Sequence, residues 1–219
     1  MALHNVMERR RKAMLEAART LLETEPLSMR RLAEVAGVSP ATPYNLFGTK
    51  RRILLEIYEE LNDDLLARIR ESDAHDALDR MYEAFRIMVQ NLVAAPGMYR
   101  ALIAGVYSGG DELGVSDPAV KLWAELFAGL REEGFLEADV DQDAFMVNFI
   151  YLLSGALFAW TEGEIDGEAL EAAVRYGFTL AMLAACPEAR KARLKQVLAA
   201  HPGAAAKPKA KKQKARAPQ

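Results

Sequence analysis

The sequence predicts an all-α chain in which a small helix-turn-helix head is joined to a larger helical body, and three observations carry that expectation. Apolar residues recur near every 3.6 positions from end to end, while no alternating run of strand length and no Asn-Gly hairpin signal occurs. Residues 27–50, LSMRRLAEVAGVSPATPYNLFGTK, read as two short helices around a tight turn with a third helix starting behind them. Charge is also divided along the chain. Residues 1–52 carry ten Lys/Arg against five Asp/Glu, residues 53–202 twelve against twenty-six, and residues 203–219 six against none, within a net charge of −3. A basic head on an acidic body is what phosphate binding requires, because salt screens charge beyond about 10 Å. At 219 residues and 51% hydrophobic content, the chain has ample material for a core.

The first helix is expected over about 5–24, with Met14, Ala17, Ala18, Leu21 and Leu22 on one stripe. Its run Arg9, Arg10, Arg11, Lys12 reads either as a solvated face or, beside a helix-turn-helix, as phosphate contacts. Glu25-Pro26 stops the helix, since a residue before proline is pushed out of the α region. Ser28 then caps a second helix whose apolar positions are Met29, Leu32, Ala33 and Ala36. Gly37 follows, where a left-handed turn needs a residue without Cβ, and Val38 turns inward. The third helix, which would enter the DNA major groove, has two possible starts. Either Ser39 caps and Pro40 is the first helical residue, or Thr42 caps and Pro43 is. It ends at Gly48, and Thr49 caps the next helix.

That fourth helix, about 50–71, buries Leu54, Ile57, Tyr58, Leu61, Leu65 and Ile69 and links head to body. A fifth runs from 72–73 through Leu78, Met81, Phe85, Met88 and Leu92 to Pro96-Gly97, and a sixth covers 98–106. Residues 108–118, SGGDELGVSDP, are expected to be the longest flexible stretch of the body, before a seventh helix over 119–133 that ends at Gly134. The eighth, 141–160, contains seventeen uncharged residues (AFMVNFIYLLSGALFAW), at the short limit for a membrane span. Asn148, Ser154, Gly155 and acidic flanks argue against one. A helix apolar on all sides in a chain this small is expected to be covered by a partner chain. Gly155, Ala156 and Ala159, with Ala173, Gly177 and Ala181 on the ninth helix (167–186), allow close helix approach, so these two helices are the expected homodimer interface, with packing inside one chain as the alternative. A last amphipathic helix covers 187–200. Boundaries follow: a DNA-binding head over 1–52 with its helix-turn-helix at 29–48, a body over 53–200, and a basic low-complexity tail over 201–219 expected to be disordered.

Catalytic chemistry finds no support. His4, His75 and His201 are scattered, and HExxH, GxSxG and phosphate-loop patterns are absent. Asp139, Asp141 and Asp143 imitate the start of a calcium loop, but its sixth position is Ala144 and its twelfth Ile150. The one cysteine, Cys186, excludes a disulfide framework or cysteine-based zinc site within one chain. No cofactor, no metal and no enzyme activity are expected, and the chain reads as cytoplasmic, with no signal-peptide pattern at its N-terminus.

With these residues in order, the chain resembles the TetR (tetracycline-repressor-like) family. The likeness lies in residues 9–60: the Ala33 and Gly37 spacing, GVS at 37–39, Thr42, the Tyr44–Phe47 pair and Lys50; residues 70–200 share the layout only. Pro43 departs from the family's usual aliphatic residue. The resemblance implies that Ser28, Ser39, Thr42, Tyr44 and Lys50 hold phosphates, that Arg30 and Asn45 reach base edges, and that Ala41 and Pro43 meet thymine methyls. Leu46 and Phe47 would belong to the head's core, and Arg31 and Arg51 are equally solvated charges or phosphate contacts. It further implies a dimeric repressor on a palindromic double-stranded operator, released by a small lipophilic effector of unknown identity. Met81, Phe85, Met88, Tyr99, Tyr107, Trp123, Phe127 and Phe145, with Met98, would line the effector pocket or form an ordinary core, and Arg86, Gln90, Arg100 and Asn148 would orient the ligand. A same-fold activator, a ligand-independent regulator, or a helical interaction protein without DNA binding are the other readings.

Overall fold

A computed structural model describes residues 2–107 and 117–201. The flexible stretch expected at 108–118 and the tail beyond His201 therefore fall almost wholly outside the described residues. Ten helices and no strand occur among the described residues: α1 (Ala2–Thr24), α2 (Met29–Val35), α3 (Ala41–Phe47), α4 (Lys50–Arg70), α5 (Ala77–Ala94), α6 (Pro96–Tyr107), α7 (Asp117–Glu132), α8 (Gln142–Thr161), α9 (Gly167–Ala185) and α10 (Glu188–Ala200). Most boundaries are chemical. The side chains of Ser28, Thr49, Asp76, Asp141 and Asp166 each accept the backbone N–H three residues on, satisfying an orphan donor at the start of α2, α4, α5, α8 and α9. Asp141 is thus a helix cap.

Apolar residues collect into two cores. The head core joins Met14, Leu15, Ala18, Leu21 and Leu22 of α1 to Leu32, Phe47, Ile53, Leu54 and Ile57, and it also takes Met98, Leu102 and Val106 from α6. The body core is centred on Phe85, Trp123, Phe127, Phe149 and Phe178, whose rings meet at centroid separations of 4.9–6.2 Å, mostly tilted or edge-on. Its one deep polar pair is satisfied: Tyr82 Oη and Thr179 Oγ1 lie 2.9 Å apart, and Thr179 donates to the Arg175 carbonyl. Helix α4 serves both cores, with Ile53, Leu54 and Ile57 in the first and Leu65, Leu66 and Ile69 in the second. Helix α6 is the second link. A Cβ on Gly97 would lie 2.6 Å from the backbone oxygen of Glu23 in α1, and one on Gly105 would collide with the Leu54 side-chain tip in α4. So α6 sits against both helices without a spare methyl's width.

Helix α8 is long and apolar enough to cross a membrane, yet only a third of its most apolar window is buried inside the chain. Met146, Phe149, Ile150, Leu153, Leu157 and Trp160 face the body core, while Tyr151, Leu152 and Phe158 stand exposed.

Candidate nucleic-acid interface

The turn between α2 and α3 is built from backbone needs. Gly37 takes φ +63, a left-handed value that side chains with Cβ rarely adopt, and the Val38 N–H returns to the Ala33 carbonyl at 3.0 Å. Of the two starts open to α3, the structure takes the earlier. Pro40 already has helical dihedrals (φ −56, ψ −25), and Thr42 lies inside the helix, its N–H on the Ser39 carbonyl at 2.9 Å. That bond occupies the acceptor a residue at position 43 would otherwise have used, so the missing N–H of Pro43 costs α3 little. Ser39 does not cap through its side chain; its hydroxyl lies 2.9 Å from that of Thr42.

The register of α3 decides which residues meet solvent. Pro43 and Phe47 point into the head and Leu46 is half-buried. Pro43 is therefore unavailable for the thymine contact expected of it. Ala41, Tyr44 and Asn45 are exposed, Tyr44 at 57%, and Ser39, Ser28 and Lys50 are exposed at the ends of α3, α2 and α4; Thr42 is half-covered. Arg30 projects from α2 with its side chain 87% exposed, tied only to Glu34 at 3.2 Å. Such an exposed pair is worth about 0–1 kcal/mol, so a guanine edge can replace Glu34. Arg31 is more committed. It bonds Glu25 at 2.9 Å and Glu34 at 3.2 Å, and those hydrogen bonds raise its own pKa and lower that of Glu34. Of the nine residues expected at DNA, all but the buried Pro43 are thus exposed or, for Thr42, half-covered at the surface of the helix-turn-helix.

Sequence reasoning missed the anchor behind this surface. Arg11, read as part of a basic run, donates through Nε to Glu56 at 2.9 Å, through a second nitrogen to the same carboxylate, and through a third to the Leu46 carbonyl at 2.8 Å. Glu56 is only 8% exposed and accepts a further bond from Arg52 at 2.9 Å. The signal was present, since Glu56 lies between Ile53 and Ile57 on an apolar stripe where a carboxylate needs a partner.

The body holds a cavity of about 60 Å³ between α4, α5, α6, α7 and α8. Met88, Tyr99 and Trp123 line it as expected from the resemblance. Met81, Phe85 and Phe127 do not; they are fully buried in the packed aromatic core, and Phe145 stacks edge-on to Phe127 at 5.3 Å. The Tyr107 side chain lies outside the described residues, and Met98 packs in the head core. The side chains bringing an amide or hydroxyl to the cavity lining are Tyr58, Asn62, Asn91 and Tyr99. The four proposed for that task are elsewhere: Arg86 pairs with Glu83, Asn148 donates to the Ala144 carbonyl at 2.8 Å, Arg100 lies over the Trp160 ring at 5.0 Å, and Gln90 is exposed. Burial pushes the Tyr99 phenol up, against weaker opposing fields from Arg19 and Arg68.

On the outer face of the body, Gly155 is open to solvent, and Ala156, Ala159, Ala173 and Ala181 are half-buried. Gly177 is used inside the chain, where a Cβ would come within 2.6 Å of the Leu152 side chain. On the same two helices Tyr151, Leu152, Phe158 and Leu180 are exposed large apolar side chains.

No family model matches the chain. It is 26% identical over 178 residues to the nucleoid occlusion factor SlmA of Alteromonas mediterranea, spanning 78% of this chain and 86% of that protein. Among solved structures, Thermus thermophilus FadR, a TetR-family transcriptional repressor in complex with lauroyl-CoA, superposes with a TM-score of 0.63 at 18% identity, over 78% of this chain and 93% of FadR. Streptomyces coelicolor CprB, a TetR-family protein in complex with its operator sequence, gives a TM-score of 0.54 at 20% identity, over 89% and 96%. The fold is that of the TetR-family transcriptional regulators.

Proposed function

We infer that this chain is a TetR-family DNA-binding transcriptional regulator, and within that family a cytoplasmic homodimeric repressor of a palindromic operator. One observation carries the reading. The side chains suited to phosphates and base edges (Ser28, Arg30, Ser39, Ala41, Thr42, Tyr44, Asn45, Lys50) share the solvent side of the helix-turn-helix, while Pro43 and Phe47 fill the core behind them. Asn45 suits adenine N6/N7 and Arg30 guanine O6/N7, each worth roughly 1–3 kcal/mol of discrimination; the hydroxyls and Lys50 fix register on the backbone. The apolar face of α8 and α9 supports a two-fold dimer, which would place two recognition helices on successive major grooves about 34 Å apart.

Effector release is part of the same proposal. A cavity of about 60 Å³ is far below the roughly 300 Å³ of a ligand pocket, so a lipophilic ligand would have to select a wider body. Its walls include Tyr99, Leu102, Ile103 and Val106 of α6, and α6 touches α1 at Gly97 and α4 at Gly105. Widening would move α6 and, through α4, change the separation of the two heads. The test is selection of duplexes from a random pool by the full-length protein. Enrichment of a two-fold symmetric site is expected, and a pool that stays random after repeated rounds would overturn the reading.

A further inference from the structure

Every nitrogen of the Arg11 guanidinium is engaged inside the head. Nε and one terminal nitrogen hold both oxygens of Glu56, the other terminal nitrogen holds the Leu46 carbonyl at 2.8 Å, and the guanidinium carbon lies 4.6 Å from the centre of the Phe47 ring. The partners span three helices. Arg11 comes from α1, Leu46 and Phe47 close α3, and Glu56 belongs to α4. At the end of α3 the Gly48 N–H goes to the Tyr44 carbonyl and the Thr49 N–H to that of Phe47, leaving the Leu46 carbonyl between them to Arg11. Helix α3 has seven residues, too few to fix its own pose by helix stability. Glu56 has Arg52 as a second partner, but Arg52 lies one turn away on the same helix, so that bond ties α4 to no other element.

We propose that Arg11 is a positioning residue for DNA readout: it sets the angle of α3 on α4, so that Tyr44 and Asn45 present one fixed face, and it makes no phosphate contact itself. The proposal rests on the DNA-binding reading above. It also separates Arg11 from the neighbouring charges of the run, since Arg10 and Lys12 are exposed.

Phosphate contact and positioning predict different salt behaviour. Each phosphate neutralised adds about 0.9 to the slope of log affinity against log salt. A lysine serves at a phosphate as a point charge, but it cannot reproduce a fork on a carboxylate together with a carbonyl bond. The experiment compares the unmodified full-length protein with Arg11→Lys, Arg11→Met and the double variant Arg11→Met/Glu56→Leu. Each is titrated against a duplex selected by the unmodified protein and against random duplex, across a salt series. Positioning predicts that all three variants lose preference for the selected duplex by about tenfold or more, the size of one lost base contact, with random-DNA affinity and salt slope unchanged. The double variant removes both members of the ion pair, so no uncompensated carboxylate is left to unfold the head. It is expected to melt cooperatively near the parent and still to lose preference. Rescue by Arg11→Lys, a slope reduced by about one in Arg11→Met, or full preference in the double variant would each overturn the proposal. Hydrogen exchange in the free protein gives a readout that needs no DNA. Amides of α3 should exchange faster in all three variants and those of α2 should not. Unchanged α3 exchange would overturn the clamp, even if the unmodified protein enriched no sequence and the DNA-binding reading itself fell.

Discussion

Asn45 and Arg30 differ from Tyr44 and Lys50 in what their loss should do, and the difference is measurable. Asn45→Ala and Arg30→Ala are expected to lower the preference for one sequence over its variants by roughly 1–3 kcal/mol each, with little change on random DNA. Tyr44→Ala and Lys50→Ala should weaken all sequences alike, and Lys50→Ala should also lower the salt slope by about one, as read by titration at several salt concentrations. The caps at Ser28 and Thr49 and the turn at Gly37 were legible in the sequence, because they are local chemistry, whereas the roles at DNA came from the resemblance. Two roles were not legible. Pro43 needed the register of α3, which hangs on whether Pro40 or Pro43 opens the helix, and the bond from Thr42 to Ser39 decides that. Arg11 needed a partner forty-five residues away, and a basic run looks the same whether it faces phosphate or a buried glutamate.

Helix α6 shows how an element can have two memberships that periodicity does not reveal. Its span was readable, but its share in the head core through Met98, Leu102 and Val106 was not, because nothing local says which neighbour a helix face will meet. Its two glycines should respond unequally to a methyl. Gly97→Ala pushes against a backbone oxygen that cannot step aside and is expected to cost about 1–3 kcal/mol in denaturant unfolding; Gly105→Ala meets only the mobile tip of Leu54 and should cost less. At the other end of the body, α10 is held to α5 by Arg193, which pairs with Asp76 and Asp79. Burial pushes the Asp76 carboxyl up, but the bonds from Arg193 and from the α5 amides outweigh it and hold the carboxyl below its ordinary range. A lowered carboxylate stabilises the fold above its unfolded value near 4, and that contribution is lost as pH falls through the folded value. Exchange of α10 amides should therefore rise below about pH 4, and Asp76→Asn should remove most of that rise.

At the scale of the molecule, the charge distribution sets a basic N-terminal stretch against an acidic middle, and the number and order of the ten helices among the described residues follow the apolar periodicity. Helix α8 carries more apolar surface than one chain covers, and Tyr151 and Phe158 remain 60% and 65% exposed. If that face closes a two-fold dimer, Phe158→Asp should weaken the dimer by about 2 kcal/mol or more, roughly thirtyfold, in sedimentation equilibrium; an unchanged dimer would move the interface elsewhere. The body cavity was the least legible feature, because methionine and aromatic residues mark a core and a cavity equally: Met88, Tyr99 and Trp123 border it while Met81, Phe85 and Phe127 pack in the core, and Asn62, an amide on the apolar stripe of α4, borders it too. The central claim is that the exposed side of α2 and α3 reads DNA sequence. Equilibrium titration of the full-length protein, at physiological salt, on the duplex upstream of its own gene and on random duplex of equal length tests it most directly. A preference of at least about 10³ is expected, with affinity for both duplexes that falls steeply as salt rises. Equal affinity for the two, or no binding to either, would contradict it.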